Sequence, residues 1–129
     1  MLRWAMAEMG YCEMIKHFNQ IKDYQKQLGY DFDKMSMPER MQMFRNYMAA
    51  LTVEQGELAA EVPFKPWRSI ADQDMNYSKA CLEWVDMYFF LFDQAIALGL
   101  EPQDLADSFD KKMTVNLKRI KSKYNNLEK

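Results

Sequence analysis

Hydrophobic and polar residues alternate along most of this chain with the period of an α-helix, in which positions three and four apart share a face. Glycine and proline residues interrupt this pattern at intervals and divide it into four segments. These predicted helices cover residues 2–28, 36–62, 69–98 and 102–124. The chain shows no alternation with the period of a β-strand, so we predict an all-α protein with a four-helix bundle.

Several helix ends carry recognisable start or stop signals. Ser36 and Glu39 have the spacing of a capping box, which marks the start of the second helix. Pro63 and Pro66 then prevent that helix from continuing. The polar side chains of residues 69–72 are suited to cap the third helix, which Gly99 ends.

Carboxylates follow one edge of the apolar face of the second helix. The apolar positions are Met41, Phe44, Met48, Leu51, Leu58 and Val62. Glu54, Glu57 and Glu61 lie beside this stripe, where successive side chains can point at one spot. The same spacing is also typical of a solvated helix face, so this helix alone does not identify a site.

The third helix is apolar almost all round, which predicts that it is central and largely covered. Carboxylates in such a helix are costly unless a cation or a metal neutralises them. Glu83 and Asp86 form an acidic pair that matches Glu54 and Glu57. Together the two pairs would make an oxygen-rich site of the kind that Mg²⁺ or Mn²⁺ prefers.

The fourth helix repeats this arrangement with basic side chains. Its apolar stripe is Phe109, Met113, Leu117, Ile120 and Tyr124, and its polar margin is Lys112, Asn116, Arg119 and Lys123. Cations beside a divalent-metal site are suited to binding a polyphosphate, because they neutralise the phosphate charges that the metal ion does not neutralise. Hydrolysis of a nucleoside triphosphate fits this electrostatic outline.

Length, charge and cysteine content narrow the class of protein. A chain of 129 residues predicts one domain, residues 1–129. Its 17 basic and 19 acidic residues leave no general basic field for nucleic acid, and no apolar run is long enough to predict a membrane span. Cys12 and Cys81 form no CxxC pair, and His17 is the one histidine, which disfavours a zinc site or a histidine-based nucleophile. Unpatterned cysteines predict reduced thiols and a cytoplasmic location.

Four blocks in order resemble the all-α nucleoside triphosphate pyrophosphohydrolases, which include MazG-type enzymes, dimeric dUTPases and phage dCTPases. The blocks are Glu54-x-x-Glu57, Phe64-Lys-Pro-Trp67, Glu83-x-x-Asp86 and an ending with Lys112, Asn116, Arg119 and Tyr124. They cover roughly residues 37–124. Two departures bear on the substrate: Tyr88-Phe89-Phe90 stands where the family often has aromatic-His-Phe, and Arg119-Ile-Lys-Ser-Lys-Tyr124 replaces its Arg-Gln-x-x-Gly-Tyr ending.

The resemblance implies an enzyme that converts a nucleoside triphosphate, dUTP or dCTP, to the monophosphate and pyrophosphate. It implies that Mg²⁺ is held by Glu54, Glu57, Glu83 and Asp86, and that Glu54 or Glu57 positions the attacking water. It also implies phosphate binding by Lys112, Asn116 and Arg119. The candidates for nucleobase binding are Trp67, Phe18 and Asn19, although a tryptophan in a short loop is also a common packing residue. Family members assemble as dimers or tetramers, which predicts a homodimer or homotetramer.

Two other functions remain open from the sequence. A MazG-like hydrolase of purine nucleotides such as dGTP, or of non-standard nucleotides, would share the chemistry and differ in the base pocket. A non-catalytic helical oligomerisation module would keep the bundle without needing the acidic positions, all of which are present here.

Overall fold

The computed structural model describes the backbone of residues 2–127 and the side chains of residues 13–125. This part of the chain contains four α-helices, two short 3₁₀ helices and no strand, which confirms the all-α prediction. The α-helices are α1 (Leu2–Gln27), α2 (Met37–Ala60), α3 (Tyr77–Leu98) and α4 (Pro102–Leu127), and the 3₁₀ helices are Phe32–Lys34 and Ile70–Asp72. Among these residues no helix is both long and apolar enough to cross a membrane.

The glycine predicted to stop α1 does so through its backbone conformation. Gly29 has a φ of +99°, a region that a side chain disfavours. Its N–H donates to the carbonyl of Lys26 at 3.0 Å, and the N–H of Tyr30 donates to that of Gln25 at 2.9 Å. These two bonds form a Schellman motif, which satisfies carbonyls at the end of the helix.

The predicted capping box starts α2. The Ser36 hydroxyl accepts from the Glu39 N–H at 3.3 Å, and the Glu39 carboxylate accepts from the Ser36 N–H at 2.8 Å. The helix ends at Ala60, two residues before the predicted end, and Pro63 and Pro66 follow in the connecting loop.

The predicted start of α3 was wrong. Residues 69–72 form the second 3₁₀ helix and its N-cap, and the Ser69 side chain makes no capping hydrogen bond there. Helix α3 begins at Tyr77, where Asn76 accepts from the Lys79 N–H at 3.1 Å. Asn76 is not among the predicted caps, and residues 69–72 instead belong to the loop described below.

The chain divides into two compact units, Phe18–Gly99 and the segments Met1–His17 with Leu100–Lys129. In the first unit, α2 and α3 pack as an antiparallel pair. The Asn76 N–H donates to the Glu61 carbonyl at 3.0 Å, while Tyr47 and Phe90 have ring centroids 6.2 Å apart farther along. This register brings the second half of α2 opposite the first half of α3.

The core of the first unit lies around the second half of α3. Phe18 of α1 is 1% exposed and meets Phe92 edge-to-face, with ring centroids 6.1 Å apart. The first half of α3 differs from the prediction of a covered helix, because Leu82, Val85 and Phe89 remain exposed. Polar contacts are also buried here, since Asp93 lies among the core residues.

The predicted apolar stripe of α2 is shifted in the structure. Met48 is exposed, whereas Tyr47 is buried and contacts both Phe32 and Phe90. The shift moves Glu54 from the edge of the stripe onto the less exposed face that packs against α3.

In the second unit, α4 begins at Pro102 as predicted, and the Asp104 carboxylate accepts from the Glu101 N–H at 2.8 Å. It continues to Leu127, three residues past the predicted end. Its predicted stripe is exposed along its length: Phe109, Met113, Leu117, Ile120 and Tyr124.

Candidate metal centre

Three of the four predicted carboxylates meet between α2 and α3. Glu54 and Glu57 lie one turn apart on α2, and the antiparallel register places Glu83 of α3 opposite them. Each offers a carboxylate oxygen, and these three oxygens all lie within 4.8 Å of one another. Such a cluster of oxygen ligands is of the kind that binds Mg²⁺ or Mn²⁺.

Asp86 is not a member of this three-residue cluster. It lies one turn after Glu83 on the same helix and is exposed. Its charge nevertheless contributes to raising the pKa of Glu54, so it belongs to the same electrostatic environment. The structure therefore brings Glu54, Glu57 and Glu83 together, with Asp86 at their margin.

Two oxygens of the cluster are buried without a hydrogen-bond partner among the described residues, namely Glu54 Oε2 and Glu83 Oε2. A buried carboxylate oxygen without a donor is destabilising unless a proton or a cation compensates it. No lysine or arginine ion pair with either residue occurs in the described part of the chain. The residues present thus fit a divalent cation.

The crowding of carboxylates also changes the acidity of Glu54. Burial is the largest cause that raises its pKa to about 7, followed by the hydrogen bond and charge of Glu57, the charge of Asp86 and a hydrogen bond with Glu83. In the absence of a cation, this cluster therefore retains a proton near neutral pH. A divalent ion would take the place of that proton.

Glu61, the last carboxylate of the acidic stretch, has a different role. Its side chain forms an ion pair with Lys79 at 3.6 Å, and its carbonyl accepts from the Asn76 N–H. Both contacts join the end of α2 to the start of α3. They hold together the two helices that carry the carboxylate cluster.

The loop between α2 and α3 is organised by Gln73, a residue with no signal in the hydrophobic pattern. Its carboxamide accepts from the Lys65 N–H and donates to the Lys65 carbonyl, both at 3.0 Å. It is also within 3.4 Å of the Arg68 carbonyl and 3.3 Å of the Ser69 carbonyl. These contacts join residues that are distant in the loop, so helical periodicity could not reveal them.

The three nucleobase candidates have different environments. Trp67 lies in this loop and is 72% exposed, with the ring of Phe64 edge-on at 6.4 Å between centroids. Asn19 is exposed on α1. Phe18 is a core residue packed against Phe92, so its burial removes it as a stacking surface in this chain.

The predicted phosphate ligands Lys112, Asn116 and Arg119 all lie on α4, where their side chains are exposed. They belong to the second unit, whereas the carboxylate cluster belongs to the first. Their role in binding phosphate stays a prediction.

A comparison with protein-family models matches residues 17–101 to the model for dUTPase. No curated protein and no solved structure matches the chain. The matched residues contain all four predicted metal ligands and Trp67, and they end before α4. This match confirms the resemblance to the all-α nucleoside triphosphate pyrophosphohydrolases, and because it spans more than half of the chain, the protein belongs to the dUTPase family.

Proposed function

We propose that this protein is a divalent-metal-dependent pyrophosphohydrolase that converts dUTP or dCTP to the nucleoside monophosphate and pyrophosphate. The observation that carries the proposal is the cluster of Glu54, Glu57 and Glu83, in which two buried oxygens have no hydrogen-bond partner among the described residues. Membership of the dUTPase family supports a nucleotide as the substrate.

The carboxylates have two proposed roles, metal binding and orientation of the attacking water. Glu54, Glu57 and Glu83 would hold Mg²⁺ or Mn²⁺, with Asp86 as a fourth ligand from the exposed side. The chemistry that such an ion supplies when bound is polarisation of the phosphate oxygens. Glu54 or Glu57 orients the attacking water and accepts its proton. One water is consumed as the anhydride bond between the α- and β-phosphates breaks.

The remaining substrate contacts come from other elements. Lys112 and Arg119 would bind phosphate oxygens by charge-assisted hydrogen bonds, and the Asn116 amide can donate another. Trp67 offers an exposed aromatic face for the nucleobase, and Asn19 offers an amide that can bind its edge. These assignments account for the nucleobase and the phosphates of a nucleoside triphosphate.

We further propose that the protein acts as a cytoplasmic homodimer or homotetramer. Leu82, Val85 and Phe89 expose one apolar surface on α3, and the stripe of α4 exposes another. Contiguous apolar surface of this kind is typical of subunit interfaces. A second copy of the chain would remove it from water.

The test is hydrolysis of dUTP, dCTP, dGTP and dATP by the purified protein, with product identification and with Mg²⁺, Mn²⁺ or excess EDTA. We expect one pyrimidine nucleotide to give the monophosphate and pyrophosphate only when a divalent ion is present. A Glu101→Gln variant, which removes an exposed carboxylate outside the cluster, should retain this activity.

Three results would contradict parts of the proposal. Full turnover in EDTA would exclude the metal role, and release of inorganic phosphate in place of pyrophosphate would exclude the reaction. Preferred hydrolysis of dGTP would favour the purine-specific alternative. Absence of turnover with every nucleotide and both ions would favour the non-catalytic module.

A further inference from the structure

The loop that joins α2 to α3 is closed at its base and cross-linked by hydrogen bonds within it. The Asn76 N–H donates to the Glu61 carbonyl at 3.0 Å, so the two ends of the loop of residues 62–75 lie next to each other. The Arg68 guanidinium donates to the Asp72 carbonyl at 2.9 Å within the loop. Compact loops of this length with close ends are often functional.

The Gln73 carboxamide crosses the interior of this loop and satisfies backbone groups on its far side. It accepts one hydrogen bond and donates to carbonyls of Lys65, Arg68 and Ser69. An amide side chain is suited to this because it carries an acceptor oxygen and two N–H donors, one of which is shared between two of the three carbonyls. A carboxylate could keep the bond from Lys65 N–H but would lose the other three.

These bonds hold the backbone on both sides of Trp67. Lys65 precedes it by two residues, and Arg68 and Ser69 are the two residues after it, so Gln73 holds the backbone from which the indole ring projects. The ring itself is 72% exposed. Because hydrogen bonds already hold the backbone that carries this exposed aromatic side chain, a planar partner can bind to it without the entropic cost of ordering the loop.

We propose that Gln73 is a positioning residue that presets Trp67 to stack on the nucleobase. This inference rests on the proposed function, since it assigns a role within the same nucleotide site. Gln73 acts through the loop backbone, because its side-chain hydrogen bonds in the described part of the chain go to Lys65, Arg68 and Ser69 and none goes to the carboxylate cluster. Its loss should therefore weaken nucleotide binding and leave the chemical step largely intact.

The experiment compares Gln73→Met and Gln73→Glu in a background with a single tryptophan, made by Trp4→Phe and Trp84→Phe. Methionine has a similar length without the amide donors, and glutamate keeps only the acceptor. Gln42→Met is the matched control, because Gln42 is an exposed glutamine that bonds Asn46 on its own helix. The measurements are KM and kcat for the nucleotide that is hydrolysed best, and the fluorescence anisotropy of Trp67 without nucleotide.

We expect both Gln73 variants to raise KM by roughly five- to tenfold, with kcat within about twofold, because the loop must be ordered on binding. Trp67 anisotropy should fall in both, and Gln42→Met should match the background protein in all three quantities. A purely structural role would lower Trp67 anisotropy without changing KM, and that result would overturn the proposal. Unchanged anisotropy in both variants would overturn it as well.

Failure of the inference can be separated from failure of the proposed function. If the background protein hydrolyses none of the four nucleotides, the proposed function and the nucleotide role of Gln73 both fall. If hydrolysis is normal and KM is unaffected in the Gln73 variants, only the role of Gln73 is overturned.

Discussion

At the scale of single residues, the structure contains two kinds of buried carboxylate. Glu54 lies in a cluster that a cation can neutralise, whereas Asp93 is 2% exposed in the core and accepts one hydrogen bond, from the Gln25 amide at 3.0 Å. Burial raises the pKa of Asp93 to about 6, although the bond from Gln25 opposes this. The nearby Tyr47 hydroxyl is also buried, and burial, followed by the charge of Asp93, raises its pKa.

Asp93 should make the protein less stable at neutral pH than in mild acid. The pKa of Asp93 is raised on folding, so the folded state holds the proton more tightly than the unfolded state does. The free energy of unfolding therefore decreases as pH rises from about 4 to 6. Above pH 6 this loss of stability is of order 3 kcal/mol, which corresponds to the difference between the pKa of 3.8 in the unfolded chain and that of about 6 in the folded protein. Asp93→Asn keeps an acceptor for Gln25 and should be more stable than the natural protein at pH 7.5, with the difference lost near pH 4. Urea unfolding at the two pH values measures this.

The control for that experiment is Asp110→Asn, which changes an exposed carboxylate. Its effect on the free energy of unfolding should stay within about 0.5 kcal/mol at both pH values. A stability difference for Asp93→Asn that is the same at pH 4 and pH 7.5 would contradict the assignment.

Asp86 tests the margin of the carboxylate cluster. Asp86→Asn removes a charge near Glu54 and one of the four proposed ligands, so we expect turnover to fall by about a hundredfold or more. Because Asp86 is exposed, the melting temperature measured by circular dichroism should change little. Activity within twofold of the natural protein would show that three carboxylates suffice.

At the scale of elements, helix ends were predictable where the signal is local. Gly99 ends α3 with a φ of +83°, and a Cβ placed there would lie 2.6 Å from an Arg40 side-chain nitrogen. Gly29 ends α1 with a similarly positive φ but has open space around it. A comparison of substitutions at the two glycines therefore distinguishes the cost of backbone strain from the cost of steric contact.

Gly99→Ala should destabilise the protein more than Gly29→Ala. Both substitutions force an L-residue into the left-handed region at a cost of about 1 to 2 kcal/mol. Gly99→Ala must also displace the Arg40 guanidinium, whose Nε is buried without a partner among the described atoms. Chemical denaturation of both variants is the measurement, and equal destabilisation would mean that Arg40 moves aside without cost.

The basic margin of α4 distinguishes a phosphate-binding helix from a solvated one. Lys112→Gln, Arg119→Gln and Asn116→Ala should each leave folding intact and lower kcat/KM by roughly tenfold or more, because a charge-assisted bond of about 1.5 to 3 kcal/mol is lost. Lys118→Gln, on the same exposed helix, is the control and should retain activity. Unchanged kinetics in all three variants would remove α4 from the site.

At the scale of the whole molecule, the carboxylate cluster links metal binding to stability. Burial, followed by the hydrogen bond and charge of Glu57 and the charge of Asp86, raises the pKa of Glu54, so the negatively charged cluster is costly in the folded state. A cation that binds only the folded state offsets this cost. The cluster joins α2 to α3, so its occupation should stabilise the entire first unit.

Millimolar Mg²⁺ should accordingly raise the melting temperature. Glu57→Gln should melt higher than the natural protein in metal-free buffer, because it removes one of the repelling charges, and should respond less to Mg²⁺. Differential scanning calorimetry with and without Mg²⁺ is the measurement. Identical curves for the natural protein under both conditions would argue against a preformed site.

Local sequence patterns predicted the four helices, most of their ends and the acidic residues that we propose as ligands. Helix ends that depend only on neighbouring residues and backbone preferences can be predicted from a short stretch of sequence. Examples are the capping box at Ser36, the stop at Gly29 and the start at Pro102. Spacing likewise placed Glu54 and Glu57 on one face of α2, and the ordered motifs identified the family.

Which side chains meet depends on how the helices pack in the tertiary structure. The antiparallel register of α2 and α3 brings Glu83 to Glu54 and Glu57 and leaves Asp86 at the margin, a distinction that spacing along one helix cannot make. Burial of Phe18 and the contacts of Gln73 also depend on residues distant in sequence. Helical periodicity records which face of a helix avoids water, whereas a site depends on the distances between faces, which packing alone establishes.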